Sequence, residues 1–520
     1  MKVEKKILFL FGYTIFLIAS LSFFTCKQKQ LLDITPTQYF ENMVNKPFHK
    51  LHYTGEGYCW QARVGMDRFI EYYELTGDTE WLDAGIKYYD HLLNKRETDP
   101  DGYKGWIGPY GYDKNYWQDA LVGDAILFTS ILDFSVLVME DEKLKAQYQD
   151  KALSYVATAK RDLIEKWDHR GCWYVDGPYG GYLGFGRYFK PGESKEWVDA
   201  PTVERSGLSH PFNKQMDVAE VCLRIHRITG EKKYWDIAEK IYYTVKSRFQ
   251  YFDDHYCWNY WEPLYPGDVD FEKNQTLHWV GVHMWRSGYQ AGEVGKIVEA
   301  YHYGIVFDKQ DIQRIIHTNL DVMWNKDREN PVFINSNGLG AEHDTTGRTQ
   351  WRKVYGHSND FINQGQLWTS LLDFDQTIRD LYELRFKDDK DSPQYQTYKN
   401  RVLANPPGFD RKHSENEVTV PKVHFTESKD LYLAAVLPHK VPTDGQSILI
   451  CNSWNSGELM IDLVTTAGEK VANLFKGDIR QGLFMMKWDG KDPDGKKQYS
   501  GDYYIRYTIN GGYRETPVVI

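Results

Sequence analysis

Three stretches of the sequence concentrate side chains that can move protons or bind a carboxylate. The first stretch, 276–304, carries histidine, arginine and glutamine together with a tryptophan, namely His278, His283, Trp285, Arg286 and Gln290. The second stretch, 204–221, places His210 and Asn213 at the start of a predicted helix. The third stretch, 347–366, brings a basic and aromatic set into one loop, namely Arg348, Arg352, Tyr355, His357 and Asn359. A loop so rich in these residue types indicates a site more often than packing.

These residue types fit the β-elimination that cleaves a uronic-acid polysaccharide. The reaction needs a group that neutralises the C5 carboxylate, a base for the C5 proton and an acid for the leaving oxygen. We assign Tyr355 as base or acid, His283 or His278 to the other role, and His210 to the support of catalysis. The side chains predicted to bind the substrate are Asn213, Arg286, Arg352, His357, Gln290 and Trp285. The chemistry requires no metal or other cofactor, and none is predicted.

Other interpretations of the same residues stay open. A structural one places His283 in an ion-pair network with Arg286 and Glu293, and makes Asn213 a helix cap. A glycoside hydrolase would need two carboxyl groups about 5–10 Å apart. Its candidates are Asp119, Asp217, Glu220 and Glu262, although no pair stands out among 73 acidic residues. A uronyl C5-epimerase would use the same groups as the lyase to abstract the C5 proton.

The stretch 276–304 has a glycine face and a polar face when it is drawn as a helix. Its glycines, Gly281, Gly288, Gly292 and Gly295, fall on one side, opposite His283, Arg286, Gln290 and Glu293. Four helical glycines cost roughly 1 kcal/mol each relative to alanine, so close approach of a neighbouring helix should compensate. We therefore predict that the glycine face packs inward and that the polar face lines a cleft.

Serial helical hairpins must position these stretches. Two segments, 72–93 and 225–249, read alike: an apolar-periodic helix stops at Thr-Gly, and a second helix opens with an acidic residue and an aromatic. Weaker versions occur at 131–167, 297–324 and 371–403, so five or more hairpins fill 55–405. The links between hairpins, such as 101–117 and 171–197, are long and rich in Gly, Trp and Tyr, as functional loops often are.

This pattern resembles the (α/α) toroids of carbohydrate-active enzymes, in which such loops rim a funnel-shaped cleft. The hairpin body and the three polar stretches are similar to the alginate and glucuronan lyases, which use an Asn, His, Tyr and Arg set. The resemblance implies a mostly α catalytic domain over 55–410. The substrate it implies is a polysaccharide or oligosaccharide that contains uronic acid.

The C-terminal part, 411–520, changes to short alternating strands and turns. It resembles the FlgD-like immunoglobulin-type β-sandwich of secreted bacterial proteins at Trp488, Asp489, Gly490, Asp492, Gly495, Gly501 and Tyr503. The resemblance implies an accessory all-β domain without catalysis. The turn 489–495 is rich in aspartate but lacks the rest of a calcium loop, so we predict a hairpin there.

The N-terminal 26 residues have the layout of a secretory signal, with a basic start, an apolar stretch and Cys26. They resemble a bacterial lipoprotein signal, which implies a lipid anchor at Cys26 in the outer membrane and a location in the periplasm or on the cell surface. An uncleaved membrane anchor is the alternative. A linker is predicted over 27–54. Its residues 31–42 resemble the start of SusD-type lipoproteins, which bind glycans without catalysis.

Composition narrows the possible partners. A net charge of -10 argues against a nucleic acid. The 17 Trp and 38 Tyr are many, and they suit either sugar stacking or the packing of a large helical domain. The five cysteines after Cys26 lack CxxC spacing, so neither a disulfide framework nor a thiolate zinc site is predicted.

Overall fold

The computed structural model describes residues 32–520 apart from 112, 191–195, 200–205, 253, 279, 281–287, 334–364, 414–422, 424–429, 444 and 497–499. Helices predominate as far as residue 403, and strands predominate from residue 431 onwards. The described α-helices are α1 (Pro36–Val44), α2 (Glu56–Arg63), α3 (Arg68–Thr76), α4 (Glu80–Leu93), α5 (Leu121–Glu140), α6 (Glu142–Ala159), α7 (Lys166–His169), α8 (Phe212–Thr229), α9 (Lys232–Ser247), α10 (Gly288–Tyr303), α11 (Lys309–His317), α12 (Gln376–Glu383) and α13 (Pro393–Tyr398). This order confirms the coarse prediction of a helical region followed by a β region.

Short helical segments of other types extend or connect these helices. Three π-helical segments follow α6, α11 and α13, at Lys160–Glu165, Thr318–Met323 and Lys399–Leu403. Four 3₁₀ turns lie at Pro47–Lys50, Pro266–Asp268, Thr369–Leu371 and Leu384–Phe386. The turn Thr369–Leu371 leads into α12 and contacts α10.

The hairpins predicted from the repeated Thr-Gly pattern are present. Gly77 separates α3 from α4 with a φ of 70°, and Gly230 separates α8 from α9 with a φ of 72°. Glycine adopts this left-handed conformation without a Cβ clash. The Gly77 amide donates to the Tyr73 carbonyl at 2.6 Å, and the Gly230 amide donates to the His226 carbonyl at 2.7 Å. Helices α5–α6, α10–α11 and α12–α13 occupy the three weaker predicted hairpins.

Helix α5 lies at the centre of the helical region. It packs against α2, α6 and α8, and α8 packs in turn against α9 and α10. The mean hydropathy of its most apolar window is 1.9, and 83% of that window is buried inside the protein. Among the described helices α5 is the one long and apolar enough to cross a membrane, but its burial is that of a core helix.

The two ends of the helical region meet around α3 and α4. Helix α1, which lies within the segment 27–54 predicted as a linker, packs on α4. Its Tyr39 hydroxyl donates to the Gly65 carbonyl at 2.9 Å. At the other end α13 contacts α3, and Arg401 just beyond α13 forms an ion pair with Glu74. The last described α-helix of the helical region, α13, therefore contacts one of the first helices, α3.

The connections between hairpins contain short antiparallel strand pairs. These are β1 (Glu97–Thr98) with β2 (Lys104–Gly105), β3 (Gly108–Pro109) with β4 (Trp117–Gln118), β5 (Trp173–Asp176) with β6 (Tyr179–Tyr182), β7 (Arg187–Tyr188) with β8 (Val198–Asp199), β9 (Gln250–Phe252) with β10 (His255–Cys257), and β11 (Val269–Asp270) with β12 (Gln275–Thr276). The described parts of the aromatic loops 101–117 and 171–197 are therefore ordered by backbone pairing.

The C-terminal region consists of two antiparallel sheets. The strands are β13 (Leu431–Leu437), β14 (Ser447–Ser453), β15 (Gly457–Thr465), β16 (Lys470–Ile479), β17 (Gly482–Trp488), β18 (Asp502–Ile509) and β19 (Gly512–Val519). One sheet has the order β13-β14-β17 and the other β16-β15-β18-β19. Buried side chains of both sheets share one apolar core, for example Leu449 of β14 with Ile461 and Ile505 of the other sheet.

This β region is joined to the helical region by backbone-directed hydrogen bonds. The Tyr432 carbonyl of β13 accepts from the side-chain amides of Gln250 at 3.0 Å and Asn259 at 2.8 Å. The Asp176 carboxylate at the end of β5 accepts from the Lys440 amide at 3.2 Å. Because these contacts are polar and partly buried, they fix the orientation of the β region on the helices.

The prediction that the glycine face of 276–304 packs inward was wrong at Gly292 and Gly295, whereas Gly281, His283 and Arg286 lie outside the described residues. Residues 275–276 form strand β12, and the described helix begins only at Gly288. The nearest atoms to a Cβ built at Gly292 and Gly295 would lie 3.8 Å and 4.0 Å away, so no neighbouring helix approaches closely there. The buried face instead carries Glu293 and Ile297. A periodic pattern separates two faces of a helix but does not say which one faces the core.

Candidate active site

Three helices begin around one cleft. Glu56 opens α2, Leu121 opens α5, and His210 lies two residues before α8, and all three residues line the cleft. The remaining wall comes from the loops, with Tyr110, Gln118, Tyr188 and His278 among the lining residues. The cavity at its base measures about 50 Å³, which is room for a few water molecules.

The three helices that begin at the cleft have no side-chain caps. Their N-cap residues are Gly55, Ala120 and Pro211, and none of these side chains hydrogen-bonds the first turn. The first amides of a helix lack intrahelical acceptors and carry the positive end of its dipole. Their arrangement around one cleft favours a negatively charged group there.

Gln215 fixes the backbone on both sides of His210. Its side-chain carbonyl accepts from the Tyr182 amide at 2.7 Å. Its side-chain amide donates to the Tyr182 carbonyl at 2.8 Å and to the His210 carbonyl at 3.1 Å. The His210 amide itself donates to the Tyr182 carbonyl at 3.0 Å. The backbone of His210 is therefore held against the end of β6, which restricts where its ring can lie in the cleft.

A buried aspartate holds the residue before His210. The Asp268 carboxylate accepts from the Ser209 amide at 2.8 Å and from the Ser209 hydroxyl at 2.7 Å. The Trp261 indole donates to the Ser209 carbonyl at 3.0 Å. Burial raises the pKa of Asp268 to about 6, although these donors oppose the shift. The loop that carries His210 is thus tied to the segment that contains Trp261.

His210 is neutral at pH 7. Burial in the cleft lowers the pKa of its imidazole to about 3, the positive charge of Lys214 lowers the pKa further, and Glu56 opposes them. A neutral imidazole has one nitrogen that can accept a proton. A negatively charged ligand beside the ring would raise this pKa toward the working pH of a general base.

Lys214 and Glu56 form an ion pair across the cleft. Lys214 Nζ lies 2.9 Å from Glu56 Oε1, and the Trp60 indole donates to the same oxygen at 3.2 Å. Burial alone would raise the pKa of Glu56, but the charge and hydrogen bond of Lys214 outweigh it, and the pKa is lowered. Glu56 is therefore a carboxylate at neutral pH and is unsuited to act as a general acid.

Of the other described residues of the predicted site, His278 lines the same cleft, and Asn213 and Gln290 lie on helices that pack together. His278 is 6% exposed, and its ring stacks on the Trp261 indole with centroids 5.0 Å apart. Asn213 and Gln290 lie in the first turns of α8 and α10, and both are buried. Asn213 Oδ1 has no hydrogen-bond partner within the described part of the chain. Its carbonyl oxygen can therefore accept a bond from a ligand or from water.

A buried ionic cluster lies directly below the cleft. Asp119, which is fully buried, contacts Lys166 Nζ at 2.6 Å and an Arg170 nitrogen at 2.8 Å. Lys166 also contacts Asp124 at 2.7 Å, and Arg170 also contacts Asp99 at 2.7 Å. Burial raises the pKa of Asp99 to about 8, helped by the charge of Asp119. Burial also raises the pKa of Asp124 to about 6.

The cluster keeps Asp119 ionised. Burial would raise its pKa, but Lys166 and Arg170 together lower the pKa to about 2. The ionised Asp119 in turn helps burial to raise the pKa of Asp99, so the two carboxyl groups titrate as a pair. Asp119 lines the cleft but is committed to two cations, so we assign it a structural role.

The other acidic residues considered for hydrolysis are also buried and paired. Asp217 contacts Lys296 at 3.1 Å, and Glu262 accepts from the Asn259 side-chain amide at 2.6 Å. Glu220 lies in the same interior between α8 and α10. The charges of Lys296 and Arg224 lower its pKa against the opposing effect of burial. Of the four carboxyl groups considered for hydrolysis, Asp119 lines the described part of the cleft, together with Glu56, and Asp217, Glu220 and Glu262 do not.

The structure brings together some of the predicted site residues and adds others. His210 and His278 line one cleft, and Asn213 and Gln290 lie in the first turns of two helices that pack together. The predicted site residues that lie outside the described residues are His283, Trp285, Arg286, Arg352, Tyr355 and His357. The sequence reasoning missed Lys214, Glu56, Tyr110 and Tyr188. Lys214 was within reach, because it lies one helical turn after His210.

The five described cysteines are all buried, and Cys59, Cys172, Cys222 and Cys451 are free thiols. The described residues contain no group of three or more His, Cys, Asp or Glu side chains placed to hold a metal ion. No model of a known protein family matches the chain, and no curated protein matches its sequence significantly. Its function must therefore be argued from the site itself.

Proposed function

We propose that the protein is a polysaccharide lyase that cleaves a uronic-acid polysaccharide by β-elimination in this cleft. The observation that carries the proposal is the pair of His210 and Lys214 where three uncapped helices begin. A neutral imidazole beside a lysine and the positive ends of three helices suits the removal of a proton next to a carboxylate. The same chemistry would suit a C5-epimerase, which the experiment below distinguishes.

The fold agrees with this proposal. We propose that the helical hairpins close into an (α/α) toroid and that the C-terminal sheets form an immunoglobulin-like sandwich. Support comes from the contact of α13 with α3 and from the shared core of the two sheets. In such a toroid the starts of the inner helices converge on one end. Helices α2, α5 and α8 begin at the cleft in this manner.

The reaction can be written with the described residues. Lys214, shared between Glu56 and the substrate, and the positive ends of the three helices neutralise the substrate carboxylate, which acidifies the C5 proton; Asn213 stays a prediction for the same role. His210 takes that proton as its pKa rises beside the anion, and the C5 electron pair forms the C4–C5 double bond. The C4–O bond breaks, and the leaving oxygen takes a proton from a hydroxyl such as Tyr188, whose pKa burial raises. Tyr355 stays a prediction for one of these roles.

Hydrolysis fits the described cleft less well. It requires one carboxyl group that is protonated at the working pH and a second carboxyl group nearby. Glu56 is ionised by Lys214, and Asp119 is ionised by Lys166 and Arg170. Neither group is free to donate a proton to a leaving oxygen.

The test uses alginate, glucuronan, ulvan, pectate and glycosaminoglycans as substrates. We expect ultraviolet absorbance to rise with one of them, because β-elimination leaves a conjugated double bond. Lys214→Met should lower kcat/KM about tenfold to a hundredfold, since it removes a charged hydrogen-bond donor. Lys160→Met is the matched control, because Lys160 forms a surface ion pair with Glu231 at 2.6 Å.

Three outcomes would count against the proposal. New reducing ends without absorbance would indicate a hydrolase. Exchange of the C5 proton with solvent deuterium, without cleavage, would indicate an epimerase. Equal activity of Lys214→Met and Lys160→Met would show that the described cleft is not the site.

A further inference from the structure

A second groove lies along the C-terminal half of α10. Its volume is about 330 Å³, and one face of α10 lines it with Gly295, Val298, Glu299 and His302. The groove and the cleft have no lining residue in common, so the two sites are separate. The opposite walls come from the 369–373 turn and from 401–413. The volume is within the range of small-molecule sites.

His302 lies at the base of this groove with poorly satisfied ring nitrogens. Its residue is 4% exposed, and its ring stacks on Phe374 at 5.5 Å. Neither nitrogen has a well-formed hydrogen bond within the described part of the chain. The nearest acceptors are the Asp373 carboxylate, 3.9 Å from Nε2, and the Asp410 backbone. Burial lowers the pKa to about 4, so the ring offers one donor and one acceptor.

Ser370 presents a second unsatisfied group to the same groove. Its hydroxyl oxygen is buried and has no partner among the described residues. Gly295 faces it across the groove, since a Cβ built at Gly295 would lie 4.0 Å from the Ser370 Cβ. Buried polar groups in proteins are normally hydrogen-bonded, so unpaired groups on two residues of one groove indicate a ligand that would pair with them.

The charges around the groove are already balanced. Lys412 pairs with Asp373, and Arg401 pairs with Glu74. Glu299 pairs with Arg224 at 2.6 Å. Each cation at the rim therefore has its own carboxylate, and no net charge is left to attract an anion. The unpaired groups are neutral donors and acceptors, and the apolar wall is formed by Val298, Leu372 and Val402.

We propose that this groove binds a neutral, hydroxyl-rich small molecule of about monosaccharide size. A sugar hydroxyl both donates and accepts, as the His302 imidazole and the Ser370 hydroxyl require. The C–H face of a sugar ring fits against Val298 and Leu372. The inference rests on the groove alone and does not depend on the activity of the cleft.

The test measures binding and stability together. Isotope-labelled protein is titrated with glucose, galactose, mannose, xylose and N-acetylglucosamine while its backbone amide resonances are followed, so that every variant is measured in the same way. We expect saturable shifts with at least one sugar, at a Kd on the order of 1 mM. His302→Phe keeps the stacked ring but removes both nitrogens, so it should weaken binding about tenfold. It should also raise the Tm, because the ring nitrogens no longer lose hydrogen bonds on burial.

Further variants give the decisive comparisons. Ser370→Ala should weaken the same binding severalfold, while His210→Ala in the cleft should leave it unchanged. The proposal is overturned if no sugar binds more tightly than about 10 mM. It is also overturned if glucuronate binds more tightly than the neutral sugars. The same holds if His302→Phe binds the sugar as tightly as the unchanged protein. A fall in the Tm of His302→Phe would assign the histidine a structural role and would equally overturn it.

Discussion

Replacing Lys166 by methionine should cost far more stability than the loss of an exposed lysine. Lys166 is fully buried, contacts Asp119 at 2.6 Å and Asp124 at 2.7 Å, and donates to the Lys104 carbonyl at 3.0 Å. Its removal leaves buried carboxylates without a countercharge, which costs about 3–5 kcal/mol. Lys151→Met is the control: Lys151 contacts Asp90 at 2.7 Å with both side chains more than a third exposed, and such pairs contribute about 0–1 kcal/mol.

Urea denaturation followed by tryptophan fluorescence measures both changes. The loss in Lys166→Met should be smaller at pH 5 than at pH 7, because Asp124, with a pKa of about 6, is then largely protonated and needs no countercharge. Adding Asp124→Asn to Lys166→Met should recover part of the stability for the same reason. If Lys166→Met and Lys151→Met lose the same free energy of unfolding, the buried cluster does not act as described.

Two more predictions concern the residues around this cluster. Burial raises the pKa of Asp99 in the folded state from its ordinary value of 3.8 to about 8, so between these values the folded state binds a proton that the unfolded state does not, and stability falls as pH rises. Asp99→Asn should therefore flatten the fall in unfolding free energy between pH 6 and pH 8, measured by urea titration; an unchanged slope would contradict it. Gly105→Ala would place a Cβ within 2.6 Å of the Asp119 Cβ and should destabilise by about 1–3 kcal/mol in the same assay. Gly111→Ala, with no atom within 4 Å of its Cβ, should be nearly neutral.

The hairpins were predictable because their signals are local. A Thr-Gly stop with a left-handed glycine can be read from a few residues, and Gly77 and Gly230 adopt that conformation. The change from helix to strand near the C-terminus follows the change in pattern from 3.6 to 2. Which helices pack together depends on residues that are far apart in the sequence. The local pattern therefore did not reveal how the face with Gly292 and Gly295 is oriented, and the prediction for it was wrong.

The candidate site was predictable only where its residues are close in sequence. His210 and Asn213 attract attention because they flank the start of one helix. The partner of Lys214 does not, because Glu56 lies 158 residues away and is a common residue type. The pKa shifts of His210 and Asp99 arise from burial, which no single residue in the sequence reveals.

One five-residue segment connects parts of the molecule that are far apart in the chain. In 258–262, the Trp258 indole donates to Glu293 of α10 at 2.7 Å, Asn259 donates to the Tyr432 carbonyl of β13 at 2.8 Å, and the Trp261 indole donates to Ser209 beside His210. The C-terminal sheets therefore cannot be removed without breaking a contact of this segment. A truncated chain that ends before β13 would lose an anchor of the cleft wall, so exchange of this β region between proteins would carry a functional penalty.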